Sequence, residues 1–201
     1  MPLLRAVAVF CGSREGNDPA FAAAAAALGR GLAEGGMRLV YGGGGIGLMR
    51  VLADAALAAG GAVTGVMPAF LRRREVAHPA VADLITTDSM QTRKLLMAEL
   101  ADAFVALPGG LGTLDETVEI LTWRQLGLHA KPLILCDVAG SAAAVVGAVE
   151  AAIAQGFMGP EGRGLFEVAA GPAATLARLR ALAADAARAA GASPPARSGG
   201  C

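Results

Sequence analysis

The chain has 201 residues, is 55% hydrophobic and carries a formal net charge of zero. That size and apolar content suit one α/β domain with a full core, and the neutral balance speaks against a nucleic-acid or anionic-membrane surface. No run is apolar for the length of a membrane span, since Arg30 and Glu34 interrupt the alanine-rich region, and no signal-type segment is seen, so a cytoplasmic protein is expected.

The first predicted strand covers 6–12 and runs into "CGSREGN", where Gly12 and Ser13 form a tight turn with a hydroxyl suited to a phosphate. A helix follows at 18–35, then a strand at 38–43 that opens into Gly42, Gly43, Gly44 and Gly45 ahead of a helix at 46–59. This loop looks like a dinucleotide fingerprint, although glycine loops also serve plain strand-to-helix turns. The ribose-binding acid expected about twenty residues later is missing, which favours a mononucleotide or a single phosphate. A third strand at 62–68 leads to "FLRRREVAHPA" (70–80), where Glu75 and His78, with three arginines, suit a lid over a phosphate ligand or simply an exposed loop.

A strand at 83–87 precedes a helix at 89–101, on which Met90, Arg93 and Met97 share one stripe. Arg93 is either a functional cation or an arginine that lays its stem on apolar surface. The strand at 103–109 then runs into "PGGLGTLDE" and a helix at 113–127. Gly109, Gly110, Gly112 and Thr113 can present N–H groups and a hydroxyl to an anion at a helix start. The spacing of Thr113 and Glu116 equally suits a capping box. A strand at 132–137 and helices at 141–155 and 172–190 complete the order, and the tail "GASPPARSGGC" loses all periodicity and is expected to be disordered. The fold expected over 1–190 is therefore a single α/β domain, Rossmann-like and doubly wound, with a mainly parallel sheet and helices on both faces. Ligands in such folds bind at the carboxyl ends of the strands. The cysteines are odd in number and lack metal-ligand spacing, so Cys11 and Cys136 are expected to be buried free thiols in a reducing compartment and no metal site is expected.

"VFCGS" (9–13), "YGGG" (41–44) with "GLM" (47–49), "REVAH" (74–78), "RK" (93–94), "PGGLGTLDE" (108–116) and "TWRQLGLHAKP" (122–132) resemble the LOG family, the cytokinin riboside 5′-monophosphate phosphoribohydrolases. The resemblance implies hydrolysis of the N-glycosidic bond of adenine-type nucleoside 5′-monophosphates, giving free base and ribose 5-phosphate without a cofactor. It places the catalytic arginine on Arg93 and the catalytic glutamate on Glu116. It also places phosphate and substrate contacts on Gly12, Ser13, Gly42, Gly43, Gly44, Lys94, Gly109, Gly110, Gly112 and Thr113. A homodimer is implied, and exposed Trp123, Leu126 and Leu128 would supply an apolar patch for it. The chain departs from the family pattern at Gln91, where histidine is frequent, and at Arg50, where glycine is usual. Two rivals share motifs with this reading. The older family label, lysine decarboxylase, needs a Schiff-base lysine, and neither Lys94 nor Lys131 has the surroundings of one. A non-catalytic nucleotide or molybdenum-cofactor carrier would share the glycine loop and the fold.

Overall fold

The structure, a computed structural model, describes residues 4–72 and 77–191. Glu75 and the tail after residue 191 lie outside them. Seven strands form one sheet in the order β4-β3-β2-β1-β5-β6-β7, every pairing parallel. The strands are β1 (Ala6–Phe10), β2 (Arg38–Tyr41), β3 (Val63–Pro68), β4 (Asp83–Thr87), β5 (Ala103–Ala106), β6 (Leu133–Asp137) and β7 (Glu167–Ala170). The helices are α1 (Pro19–Glu34), α2 (Gly47–Ala58), α3 (Met90–Leu100), α4 (Leu111–Gln125), α5 (Ala143–Ala154) and α6 (Gly171–Gly191), with a 3₁₀ turn at Pro160–Leu165. Among the described residues, no helix is long and apolar enough to cross a membrane.

Period-two alternation sorts the sheet's side chains onto two faces. Val7 and Val9 of β1 and Val105 of β5 pack with Leu28 and Leu32 of α1, Leu48 and Leu52 of α2, and Leu179 of α6. Ala8 and Phe10 of β1 and Phe104 of β5 point the other way, toward Met97 of α3, Ile120 of α4 and Val145 of α5. Burial on both faces explains why these strands read as unbroken apolar runs. Strand order reverses between β1 and β5, so their carboxyl ends diverge into opposite layers and leave a crevice.

The boundaries show where sequence patterning stops. Expected strands at 6–12, 38–43 and 103–109 end earlier, at Phe10, Tyr41 and Ala106. The apolar and glycine residues that follow are loop, because there the chain leaves the ladder to form the crevice. Helix α4 begins at Leu111, two residues before its expected start. β7 and the 3₁₀ turn were not expected. β7 is a four-residue edge strand, largely exposed, and "EVAA" shows no apolar run.

Candidate active site

Four segments meet above β1, β2 and β5. Backbone contacts bring the first two together. Gly12 N–H donates to Pro108 O at 3.1 Å, joining the turn after β1 to the loop after β5. Gly109 permits that approach, since a Cβ there would lie 2.0 Å from Thr113 Oγ1 and 2.9 Å from the Gly12 nitrogen. Beyond it, Gly110 caps α4 in an extended conformation and no side chain caps that helix. The first N–H groups of α4 therefore face the crevice at the positive end of the helix dipole. Gly110 and Gly112 have open space where a Cβ would stand.

The capping box read from Thr113 and Glu116 does not form. With α4 starting at Leu111, Thr113 is the third helical residue and Glu116 lies in the second turn. Both are buried, and both line a cleft of about 160 Å³ together with Ser13, Gly42, Met90 and Arg93.

Arg93 reaches this cleft from α3. It is only 6% exposed, so the reading of it as a surface arginine with a buried stem is excluded. Its Nε donates to Val66 O at 3.1 Å and its Nη2 to Gly42 O at 3.2 Å, with Nη1 3.8 Å from Met90 Sδ. Nη2 also lies 3.7 Å from Glu116 Oε1. Glycine at position 42 is required by this arrangement, because a Cβ would sit 2.0 Å from Nη2. The helix carrying Arg93 is started by Ser89 and Thr92, whose side chains form the capping box that Thr113 and Glu116 do not.

Other expected site residues fall outside the cleft. Gly43 and Gly44 are buried behind Gly42 and do not line it. Lys94 turns away to grip Asp115 at 3.0 Å and Glu119 at 3.1 Å, tying α3 to α4. Burial alone would lower its pKa, but those two carboxylates carry it above its ordinary value. His78 is buried and hydrogen-bonded to Asp54 of α2, so it is not part of an exposed loop. Cys11 also lines the cleft, a place signalled in the sequence only by its position just before Gly12 and Ser13. Burial, reinforced by the charge of Glu116, pushes the Cys11 thiol well above its usual range. Cys11 is therefore a neutral lining group and not a thiolate nucleophile. Among the described residues, no cluster of His, Cys, Asp or Glu could hold a metal ion.

A family model described as possible lysine decarboxylase matches residues 49–179. A cytokinin riboside 5′-monophosphate phosphoribohydrolase of Rhodococcoides fascians is 44% identical over 163 residues, 81% of this chain and 82% of that protein. The chain belongs to this phosphoribohydrolase family. Members are hydrolases that act on an N-glycosidic bond. An Arabidopsis thaliana member is 42% identical over 78% of this chain and 72% of its own. Among solved structures, the molybdenum cofactor carrier protein of Chlamydomonas reinhardtii superposes with a TM-score of 0.69 at 25% identity, covering 90% of this chain and 99% of that one. The molybdenum cofactor binding protein of Rippkaea orientalis, at 22% identity and a TM-score of 0.66, shares the fold.

Proposed function

We propose that this member of the family hydrolyses adenine-type nucleoside 5′-monophosphates, cytokinin riboside 5′-monophosphates among them, to free base and ribose 5-phosphate. The observation that carries the proposal is the buried Arg93–Glu116 pair, 3.7 Å apart, facing the uncapped start of α4 across one cleft. The N–H groups of the first α4 turn, with Gly110, Gly112 and Thr113, hold the 5′-phosphate, and Gly12 and Ser13 close that end from β1. Glu116, a turn further along α4, then faces the ribose. As the bond from C1′ to the base nitrogen breaks, its electron pair leaves with the base and positive charge develops on the sugar. Glu116 stabilises that charge and accepts a proton from the water that adds to C1′, and the proton so released is the one the departing base nitrogen takes up to leave as free base. Arg93 has Nε and Nη2 committed to carbonyls at the Glu116 end. We assign it to orienting Glu116 and to the departing base, not to the phosphate.

The carrier reading rests on the likeness to the Chlamydomonas reinhardtii protein. A carrier binds its ligand unchanged, whereas a buried acid–guanidinium pair beside an anion site serves bond cleavage. Lysine decarboxylation is disfavoured by the lysines themselves. The chain has two: Lys94, held as an ammonium by two carboxylates, and Lys131, which donates to Ala98 O at 2.7 Å. A Schiff-base lysine needs a free neutral amine. Incubation with AMP and with N6-prenylated AMP, following free base by chromatography, tests the proposal. Comparable binding of both without release of base would favour the carrier. The two buried cysteines fit a reducing cytoplasm, and the apolar face around α3 and α4 fits a homodimer.

A further inference from the structure

Gly42 is the first residue past the β2–β3 ladder, which ends at the Tyr41–Gly65 pairing. Its carbonyl is nonetheless one of the two that hold the Arg93 guanidinium. The loop that begins there is four glycines long, and Gly43 has φ +76, so no side chain and no sheet partner fixes these peptides. Glycine loses more freedom on ordering than any other residue, so such a loop needs fastening from outside.

The fastening comes from Ala77 and His78. Ala77 forms an isolated antiparallel bridge with Gly44, and His78 N–H donates to Gly43 O at 3.1 Å. The His78 side chain is 2% exposed and is itself held at both nitrogens. Nε2 lies 3.1 Å from Asp54 Oδ1 on α2, and Nδ1 accepts the Ala80 N–H at 3.3 Å. With Nδ1 accepting, Nε2 is the donor to Asp54. Arg50, one turn earlier on α2, takes the other carboxylate oxygen of Asp54 at 3.3 Å. Each Asp54 oxygen therefore has its own partner, and the carboxylate is turned to face His78.

We infer that His78 and Asp54 form a positioning clasp on the glycine loop after β2 and act on the reaction through Arg93. The chain of contacts runs from Asp54 to His78, to the Gly43 carbonyl, to the adjoining Gly42 carbonyl and to Arg93. Neither His78 nor Asp54 touches the cleft, so neither is a catalytic residue. The inference rests on the reading of Arg93 as part of the active site. It predicts a loss in kcat with KM little changed, because the phosphate is held on the opposite side of the cleft by the α4 loop.

The test uses His78→Ala, Asp54→Ala, their double variant and His78→Gln, whose amide N–H replaces the Nε2–H. Asp54 is half exposed, so its variant folds even if burial of His78 makes His78→Ala unstable. Base release from AMP and N6-prenylated AMP should fall about tenfold in kcat for either alanine variant, as expected for a displaced catalytic group. The double variant should be no slower than the worse single one, since the two act as one unit, and His78→Gln should recover most of the rate. A second readout needs no substrate. The Arg93 Nε–H, bonded to Val66 O, should exchange slowly with solvent in wild-type protein by nitrogen-resolved NMR, faster in the alanine variants and slowly again in His78→Gln. Unchanged kcat with unchanged Arg93 exchange overturns the clasp, and so does a change confined to KM. Wild-type protein that releases no base overturns the active-site reading instead, and Arg93 exchange then still decides whether the clasp exists.

Discussion

Arg93 and Glu116 are 3.7 Å apart with 7% and 9% of their side chains exposed. Buried ion pairs stabilise folds poorly, because desolvation offsets their attraction, so their presence in a cleft is better explained by chemistry. The two can be separated by mutation. Glu116→Gln keeps the volume and removes the charge. Binding of AMP should persist if Gly110, Gly112 and Thr113 hold the phosphate as proposed, while single-turnover release of base should fall by on the order of 10²-fold or more. Loss of binding along with turnover would make Glu116 a loop-shaping residue. Arg93→Ala removes the donor to carbonyls of two neighbouring chain segments as well as the cation beside Glu116. Turnover should fall by on the order of 10²-fold or more, and stability by about 3–5 kcal/mol, the usual cost of breaking a buried pair. Thermal melting beside kcat/KM checks both, and near-normal kcat/KM would remove Arg93 from the reaction. From sequence alone the arginine could be placed on a stripe with Met90 and Met97, but its burial could not be read, because that depends on a carbonyl from β3 and on the missing side chain of Gly42.

Helix α4 answers why three acids follow a glycine loop that invites an anion. Asp115 and Glu119, four residues apart, share one face and grip Lys94 of α3, while Glu116 turns into the cleft. Two of the acids are thus neutralised by a brace between helices, and the third faces the cleft, where the proposed function places the sugar end of the ligand. The glycines of the same helix start divide in a similar way. Gly109 is held by sterics, whereas Gly112 has open space and ordinary helical surroundings. Gly112→Ala should therefore stabilise the fold by up to about 1 kcal/mol through helix propensity. It should also raise KM for the nucleotide, because the added methyl enters space left for the phosphate. A rise in melting temperature with unchanged KM would place the phosphate elsewhere. The elements themselves were largely legible: six strands and six helices follow from apolar runs and helical periodicity. What misled was the carboxyl edge of the sheet, where Cys11, Gly12 and Gly42 look like continuing strand but line the cleft. Periodicity is local, and the end of a strand is decided by whether its neighbour still pairs with it.

At the scale of the whole molecule, one face gathers exposed leucines. Leu95 of α3 is 50% exposed, and Leu126 and Leu128, just past α4, are 67% and 69% exposed. Leu95 and Leu128 line a groove between α3 and α4 together with Phe104, Trp123, the His129 ring and Lys131. Trp123, expected on the surface patch, is half buried against the core, so the leucines and not the tryptophan supply the exposed area. Burial depresses the pKa of His129, as do the nearby Arg124 and Lys131 charges, so its ring is neutral at pH 7 and adds no charge to the groove. An apolar face of this kind on two antiparallel-facing copies can close by a twofold axis, each leucine set covering the other groove. Light scattering at micromolar concentration should then return about twice the 20.0 kDa chain mass. Leu128→Asp places a charge in that contact and should shift the protein to a folded monomer, since the side chain is mostly exposed in the single chain. α4 carries Glu116 on its inner side and borders this face on its outer side, so the monomeric variant should also lose turnover. Monomer mass for the wild-type protein would remove the proposed dimer, and full activity in a monomeric variant would show that the active site is complete in one chain.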